Sequence, residues 1–233
     1  MKHQSLISVA AAALLLCSCE TYNTPDAGAG PGKAHLAAFT DAHAKTAYTA
    51  KPAITFPANI AVVRVQDASA DGYTVATTRE LETARDYDTI SKLPGIAGVV
   101  SLNRLLLADS SSSPADLREA AAKLHADAIL IYTVASDTQS NDVAPPLTFV
   151  TLGLVPNQTY KITSSASAIL MDTRTGYIYG ALEEGDTRNG LTMACASDTV
   201  TDTARRQTER AAYEKLLASF DPFWNRLYAR YNR

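Results

Sequence analysis

Apolar and polar positions along this chain form short extended runs that alternate with helical stripes, and this alternation predicts its elements. Residues 60–65 and 129–134 are nearly unbroken apolar runs rich in β-branched residues, which are typical of strands buried on both faces of a sheet. The chain between them predicts a strand, a helix that stops at a Pro-Gly pair, and a further extended run, at 73–78, 80–93 and 99–107.

The clearest helix begins at Ser113. Ser113 is a favourable N-cap, Pro114 occupies the first helical position, and Asp116 lies near the positive end of the helix. The apolar stripe that follows consists of Leu117, Ala120, Ala121 and Leu124. This helix leads directly into the 129–134 run, so strand, helix and strand are expected to form β-α-β units.

The second half of the chain changes to long extended segments followed by helices. Residues 160–172 and 177–185 are separated by a turn that ends in Gly176, which predicts an antiparallel hairpin. A helix over 202–219 is expected to be broken by Pro222 and followed by a short aromatic helix. The predicted fold class is therefore α/β, a single layered domain whose mixed sheet contains β-α-β units, an antiparallel hairpin and C-terminal helices.

The N-terminal segment has the pattern of a secretory signal. After a positively charged start, the apolar run 6–16 is too short for a permanent membrane-spanning helix. Leu16 and Ser18 lie three positions and one position before Cys19, and this segment resembles the signals of bacterial lipoproteins, in which an aliphatic and a small residue occupy those positions. Cys17 fits poorly, because Leu16 would take the place of the small residue. The resemblance therefore implies lipidation at Cys19.

Three segments follow from this signal. Cleavage before Cys19 would remove a signal peptide, 1–18, and would leave a lipidated cysteine with a flexible tether over 19–45. Residues 20–33 are rich in Gly, Pro and Ala, and a coil of that length would hold the domain ~20 Å from the bilayer. A single α/β domain is expected over 46–233.

The residue after the lipidated position bears on localisation. Lipoproteins that are retained in the inner membrane usually carry Asp there, whereas this chain carries Glu20. The resemblance therefore implies the outer membrane, with the lipid in its inner leaflet and the domain facing the periplasm. A secretory signal without lipid and an uncleaved membrane anchor are the alternatives.

Charge and cysteine content exclude further classes. The signal contains one of the 21 Lys and Arg and none of the 24 Asp and Glu, so the mature chain has a net charge of about −4. This balance gives no indication of nucleic-acid binding. Cys195 is the only cysteine besides Cys19 that would remain, so no internal disulfide is expected and the fold must be held by packing.

The order of elements and one turn motif resemble a superfamily of bacterial lipoproteins. The elements are a buried first strand, a helix that ends in Ala-Asp before 129–134, a long variable stretch, a strand ending in MDTRTG and an alanine-rich C-terminal helix. Asp172, Thr175 and Gly176 match the hairpin turn of that superfamily. Over 57–220 the chain thus resembles the superfamily of the curli-secretion channel lipoprotein and the penicillin-binding-protein activator lipoprotein.

This resemblance implies a non-catalytic lipoprotein without a cofactor. Such a protein would be an adaptor that supports cell-envelope assembly by binding an envelope protein or by self-association. The alternative is a subunit of an oligomeric outer-membrane secretion channel, with membrane hairpins within 139–160 and 183–201. Lipid-facing strands alternate apolar and polar residues, whereas LTFVTLGLV is apolar at both alternations, so the channel is disfavoured.

Residue patterns for catalysis are weak. The spacing of His35 and His43 matches no compact metal site, and His125 is suited to the C-terminal end of a helix. Cys195 has no base placed beside it, and no common nucleophile or phosphate-binding motif is present. We therefore predict no enzyme and no metal. The remaining alternative is an envelope hydrolase, whose acids would be drawn from Glu183, Glu184 and Asp186.

The C-terminal segment contains the predicted contact site. Aromatic residues alternate there with arginines, and both residue types are favoured at protein interfaces. The predicted partner surface consists of Phe223, Trp224, Arg226, Tyr228, Arg230 and Tyr231. Packing of this helix on the sheet is the alternative, and both hold if one stripe faces inward and the other outward.

Overall fold

The computed structural model describes residues 47–68, 72–76, 81–107, 113–142, 158–192 and 197–232. These residues form a six-stranded mixed sheet with helices packed on it, as the α/β prediction required. The elements in chain order are β1 Ala58–Ala68, β2 Gly72–Val75, α1 Ala84–Ser91, β3 Ile96–Ser101, α2 Pro114–Lys123, β4 Ala128–Asp142, β5 Gln158–Asp172, β6 Ile178–Thr192 and α3 Ser197–Tyr231. In the described part of the chain, no helix has the length and apolar character needed to cross a membrane.

The sheet is parallel in its first half and antiparallel in its second. β1 lies between β3 and β4 and is parallel to both, whereas β4, β5 and β6 form an antiparallel series. β2 pairs antiparallel with the end of β1. The carbonyls of Val62 and Arg64, which face the same edge of β1, accept hydrogen bonds from Leu102 and Ala76. β3 and β2 therefore follow one another along that edge.

Two predicted β-α-β units are confirmed. The chain passes from β1 through α1 to β3 and then through α2 to β4, and all three strands are parallel. α2 begins as predicted, because Ser113 Oγ accepts a hydrogen bond from the Asp116 N–H while the Asp116 carboxylate accepts one from the Ser113 N–H at 2.8 Å. The Asp116 carboxylate accepts hydrogen bonds from both the N–H and the hydroxyl of Ser113, and these two bonds hold the pKa of Asp116 below its usual value.

Alternating side chains of the central strands enter two separate cores. Ile60 and Val62 of β1 face α3, whereas Ala61 and Val63 face α2. The larger core, on the α3 side, includes Leu130, Tyr132, Leu170, Tyr213, Leu216, Phe220, Trp224 and Leu227. The smaller core includes Val65, Leu102, Leu117, Ala121, Ile129, Ile131 and Met171. The layers are therefore helix, sheet and helix.

Several predicted boundaries differ from the structure. The extended run predicted over 99–107 ends with β3 at Ser101, because Asn103 caps a 3₁₀ turn, Arg104–Leu106, by accepting a hydrogen bond from the Leu105 N–H. The strand predicted at 73–78 and the helix predicted at 80–93 are present but shorter within the described residues.

The predicted hairpin is confirmed, but both of its strands are longer than predicted. β6 runs seven residues beyond 185 because its polar residues continue to pair with β5. Parts of the predicted membrane hairpins therefore belong to this same sheet, namely 139–142, 158–160 and 183–192.

The predicted break at Pro222 is wrong. α3 continues as one helix of 35 residues, with Pro222 inside it. Proline removes the hydrogen bond to the carbonyl four residues earlier, here that of Ala218. Both Pro222 and Ala218 are exposed, so solvent can reach the carbonyl that loses its donor. Phe220 and Trp224, on either side of the proline, are buried against the same sheet and keep the helix continuous.

Candidate functional site

The chain enters the domain beside the β5–β6 turn, where Asp172 holds it. The Ala53 N–H donates to Asp172 Oδ2 at 2.7 Å, and the Tyr179 hydroxyl donates to the same oxygen at 2.6 Å. The Ile54 N–H in turn donates to the Tyr179 hydroxyl oxygen at 3.0 Å. A segment 119 residues away in sequence is thus fixed to the hairpin by one carboxylate.

The same carboxylate organises the turn that follows it. Asp172 Oδ1 accepts hydrogen bonds from the N–H groups of Arg174 and Thr175 at 2.9 and 3.0 Å. Gly176 has a φ of +73°, a conformation that a side chain would disfavour. The Asp172, Thr175 and Gly176 motif is therefore a structural turn, as its resemblance to a hairpin motif implied.

The environment of Asp172 favours its charged form. Burial alone would raise the pKa of this carboxyl, which is fully buried. Hydrogen bonds from the Tyr179 hydroxyl and from the N–H groups of Thr175, Ala53 and Arg174 outweigh burial, so the pKa lies below its usual value. Asp172 therefore stays ionised at neutral pH and acts as a structural anchor.

Two arginines support this turn from outside. Arg174 forms an ion pair with Asp127 at 2.9 Å and donates to the Ala53 carbonyl at 3.3 Å. Arg118 of α2 donates to the carbonyls of Thr173 and Arg174 at 3.2 and 2.9 Å. A surface groove of about 210 Å³ lies beside them, lined by Ala122, His125, Ala126, Asp127, Thr173 and Arg174.

Aromatic rings pack around the incoming chain. Phe56 makes edge-on contacts with Trp224 and Tyr228, at ring-centroid distances of 5.9 and 5.0 Å. Tyr179 contacts Tyr231 in the same way at 5.5 Å. A Cβ atom at Gly95, where φ is +74°, would overlap the Tyr228 ring. The end of α3 is therefore fitted closely against the segment by which the chain enters.

These contacts define one end of the molecule, which we call the tether end. It comprises residues 50–56, the β5–β6 turn over 172–178 and the last two turns of α3, 225–231. The predicted tether, 19–45, would join the domain here.

The structure divides the predicted partner surface into buried and exposed members. Trp224 must be removed from that surface, because it is fully buried and its indole N–H donates to the Pro94 carbonyl at 2.9 Å. Arg226 and Arg230 are exposed, and the Arg230 guanidinium lies over the Tyr231 ring at 5.4 Å. Phe223, Tyr228 and Tyr231 are half-buried. One stripe therefore faces inward and an arginine-bearing face remains outward.

The candidate catalytic residues in the described part of the chain do not form one site. Glu184 accepts a hydrogen bond from Ser219 and Asp186 pairs with Lys215 at 2.8 Å, whereas Glu183 is exposed on the opposite face of β6. His125 follows the end of α2 at a φ of +55°. Within the described ranges, no group of three or more His, Cys, Asp or Glu side chains could hold a metal ion. Cys19, Cys195, His35 and His43 lie outside the described residues.

Sequence reasoning missed two buried polar contacts between α3, β4 and the start of α1. Arg210 donates to both oxygens of Asp86 at 2.6 and 2.9 Å, and the Tyr132 hydroxyl donates to Glu82. Burial would raise the pKa of Asp86, but hydrogen bonds from Arg210 and Thr83 outweigh it and lower the pKa. The residues of the first pair are 124 positions apart, so no local pattern could reveal it.

No family model matches the sequence, and neither does any curated protein. Solved structures similar to the chain include proteins described as lipoproteins. Rare lipoprotein B from Shewanella oneidensis is 10% identical, with 72% of this chain and 98% of that chain covered and a TM-score of 0.38. Lipoprotein GNA1162 from Neisseria meningitidis is 15% identical, with 65% and 97% covered and a TM-score of 0.32. The LpoB C-terminal domain from Salmonella enterica is 14% identical, with 60% and 85% covered and a TM-score of 0.29. Similarity at this level carries no conclusion about function.

Proposed function

We propose that this protein is a lipid-anchored, non-catalytic adaptor of the bacterial cell envelope. Cys19 would carry the lipid, and the domain would face the periplasm from the inner leaflet of the outer membrane. The adaptor would support envelope assembly by holding an envelope component beside the membrane. The observation that carries the proposal is that the chain enters the domain at the tether end, to which the last turns of α3 with the exposed Arg226 and Arg230 also belong.

The contact surface would be the outward face of the last turns of α3. Arg226 and Arg230 are exposed there, and Phe223, Tyr228 and Tyr231 at the same end of the helix are half-buried. Half-buried aromatic rings lose little conformational freedom on binding, because the domain already holds them. Arginine adds donors that suit carboxylate or phosphate groups. This surface can therefore bind without rearrangement of the core.

The anchor is tested by replacing Cys19. The full chain is produced in a bacterium that is fed a fatty acid carrying a detectable label. We expect the wild type and Cys17→Ala to be labelled and to partition with membranes, whereas Cys19→Ala is unlabelled. Mass spectrometry of the mature N-terminus identifies the modified residue. Label that persists in Cys19→Ala would contradict the anchor.

The adaptor role is tested by crosslinking in intact cells and by native mass. The lipidated protein, extracted in mild detergent, is expected to be a monomer or dimer by light scattering and to form discrete crosslinked complexes in cells. Turnover of a cell-wall substrate by the purified protein, abolished by alanine at Glu183, Glu184 and Asp186, would contradict the proposal and favour a hydrolase. A large detergent-extracted ring that conducts ions in liposomes would favour the channel.

A further inference from the structure

We infer that the tether end docks on the anionic headgroup surface of the membrane that holds the lipid anchor. The inference rests on the lipid anchor of the proposed function and deepens it, because it assigns the arginine-bearing part of the proposed contact surface to membrane lipid and leaves the rest of the domain to hold the envelope component. The occupant is a lipid surface rich in phosphatidylglycerol or another anionic phospholipid. The domain would then bind the membrane in one orientation, with the tether end toward the bilayer.

The position at which the chain enters is the first argument. Ala53 and Ile54 are fixed to Asp172 and Tyr179, so the preceding chain leaves the domain at the tether end. A coil from Glu20 to residue 45 would have a root-mean-square span of about 30 Å. β5 has 15 residues and is ~50 Å long, so the opposite end of the hairpin lies farther away than the average span of such a coil. The tether end is therefore the end that meets the bilayer first.

The charge of this end is the second argument. The chain has a formal net charge of −3, but the last two turns of α3 contain Arg226 and Arg230 and no acid. Exposed basic side chains at the tether end and beside it include Lys51, Lys92, Arg226 and Arg230, whereas the charge of Arg174 is balanced by Asp127. Of the acids here, Asp172 is fully buried, Asp127 is paired with Arg174, and Asp221 lies more than one helical turn before this face. An acidic protein thus presents a basic end, which complements an anionic surface.

Aromatic residues at the tether end are the third argument. Tyr177, Tyr228 and Tyr231 are half-buried, so part of each side chain packs against the domain and part is accessible. Tyr48, five residues before the pinned Ala53, is 92% exposed. Tyrosine and tryptophan are enriched where proteins meet the membrane–water interface, because their rings are apolar and their tips are polar. The arginines at this end carry guanidinium groups, which suit the phosphate groups of a lipid surface.

The test measures binding of the unlipidated mature chain to vesicles. Residues 19–233 carrying Cys19→Ser contain every contact described above. The chain is sedimented with vesicles of phosphatidylcholine alone and with vesicles containing 30% phosphatidylglycerol. We expect binding only to the anionic vesicles, and we expect 0.5 M NaCl to weaken it strongly.

A matched pair of double variants locates the contact. Each basic side chain near an anionic surface strengthens binding about fivefold, so Arg226→Ala with Arg230→Ala should weaken partitioning about 30-fold. Lys161→Ala with Arg206→Ala removes the same charge from exposed positions on β5 and the first half of α3 and should change binding little. All four side chains are exposed, and unchanged fluorescence of Trp224 verifies the fold.

Three outcomes would overturn the inference. Equal binding to both kinds of vesicle would show that charge does not drive the contact. Equal losses in the two double variants would show that the contact is not at the tether end. A photo-crosslinking amino acid at position 226 that yields protein adducts in cells, but no lipid adducts, would assign the surface to a protein. The fatty-acid label tests whether Cys19 carries the lipid, and vesicle binding tests the docking of the tether end. The two proposals can therefore fail independently.

Discussion

Asp172 joins three parts of the molecule through one carboxylate. It contacts the incoming chain at Ala53, its own turn at Arg174 and Thr175, and the opposite strand through Tyr179. The motif in the sequence indicates only the turn. The contact with Ala53 depends on the folded arrangement of segments 119 residues apart, so no local pattern predicts it.

Asp172→Asn is expected to lower the free energy of unfolding by about 3 kcal/mol. The amide retains one acceptor oxygen, but its NH₂ group would face donors that now bind Oδ2, and hydrogen bonds to a charged group contribute about 1.5–3 kcal/mol each. Urea unfolding followed by the fluorescence of Trp224, the only tryptophan in the chain, measures the change. Tyr179→Phe should cost about 1–2 kcal/mol by the same measurement.

An exposed aspartate provides the control. Asp221→Asn changes a carboxyl that accepts only from Asn225 within the same helix, so it should alter stability by no more than about 0.5 kcal/mol. Similar losses for Asp172→Asn and Asp221→Asn would mean that Asp172 does not fix the incoming chain as described.

His125 has a conformational role rather than a chemical one. It follows α2 with a φ of +55°, and its N–H donates to the Ala122 carbonyl while the Ala126 N–H donates to that of Ala121. These bonds form the helix-ending motif that usually has glycine at this position.

His125→Gly is expected to raise the free energy of unfolding by about 1 kcal/mol, because glycine adopts positive φ without the penalty of a Cβ atom. Ala122→Gly, at an exposed helical position three residues earlier, should instead lower it by about 0.5–1 kcal/mol. Chemical denaturation of both variants measures the two changes. A loss of stability in His125→Gly would contradict this role.

At the scale of elements, α3 crosses the sheet with two different kinds of contact. Its second half packs Leu216, Phe220 and Trp224 into the larger core. Closer to its N-terminal end it also meets the sheet through polar groups, with Glu209 accepting from Ser136 Oγ at 2.9 Å and Ser136 bonded to Ser164 at 2.8 Å. The apolar half keeps the helix continuous through Pro222.

Pro222→Ala should raise the free energy of unfolding by about 1–2 kcal/mol. Alanine restores a backbone N–H that can bond the Ala218 carbonyl, and this gain exceeds the small loss from a more flexible unfolded chain. Pro114→Ala is the matched control, because Pro114 lies at the first helical position of α2, where no helical hydrogen bond is lost. Equal effects in the two variants would mean that Pro222 does not disturb α3.

Most elements could be predicted because their signals are local. The caps of α2, the apolar runs of β1 and β4 and the turn at Gly176 all depend on neighbouring residues. The length of β6 could not be predicted, because its outer half is polar and is held only by pairing with β5. The continuity of α3 likewise depends on the sheet beneath it. The arginines of the candidate site were identified from the sequence, whereas the burial of Trp224 required the three-dimensional packing.

At the scale of the whole molecule, buried carboxylates make stability depend on pH. The pKa values of Asp86 and Asp172 lie below the usual value of 3.8 in the folded state. A carboxyl whose folded pKa is depressed contributes stability above its unfolded pKa, and that contribution is lost as the pH falls through the folded pKa. Both groups therefore stabilise the fold at neutral pH.

We expect the free energy of unfolding to fall between about pH 4 and pH 2, with little change between pH 5 and 7 from these two groups. Asp172→Asn removes one of the two carboxyls, so its stability should fall less over the acidic range and approach that of the wild type. Urea denaturation at a series of pH values measures the difference. Parallel curves for the two proteins would exclude a contribution from Asp172.

The attachment of residues 53 and 54 to the β5–β6 turn also has a mechanical consequence. A force applied through the N-terminal segment would reach the hydrogen bonds to Asp172 and Tyr179 before it reached β1. The turn would divert that load into β5 and β6, which share it along a ladder from Gln158 to Met171. Tension on the segment would therefore be resisted by the central sheet before its first strand could be peeled away.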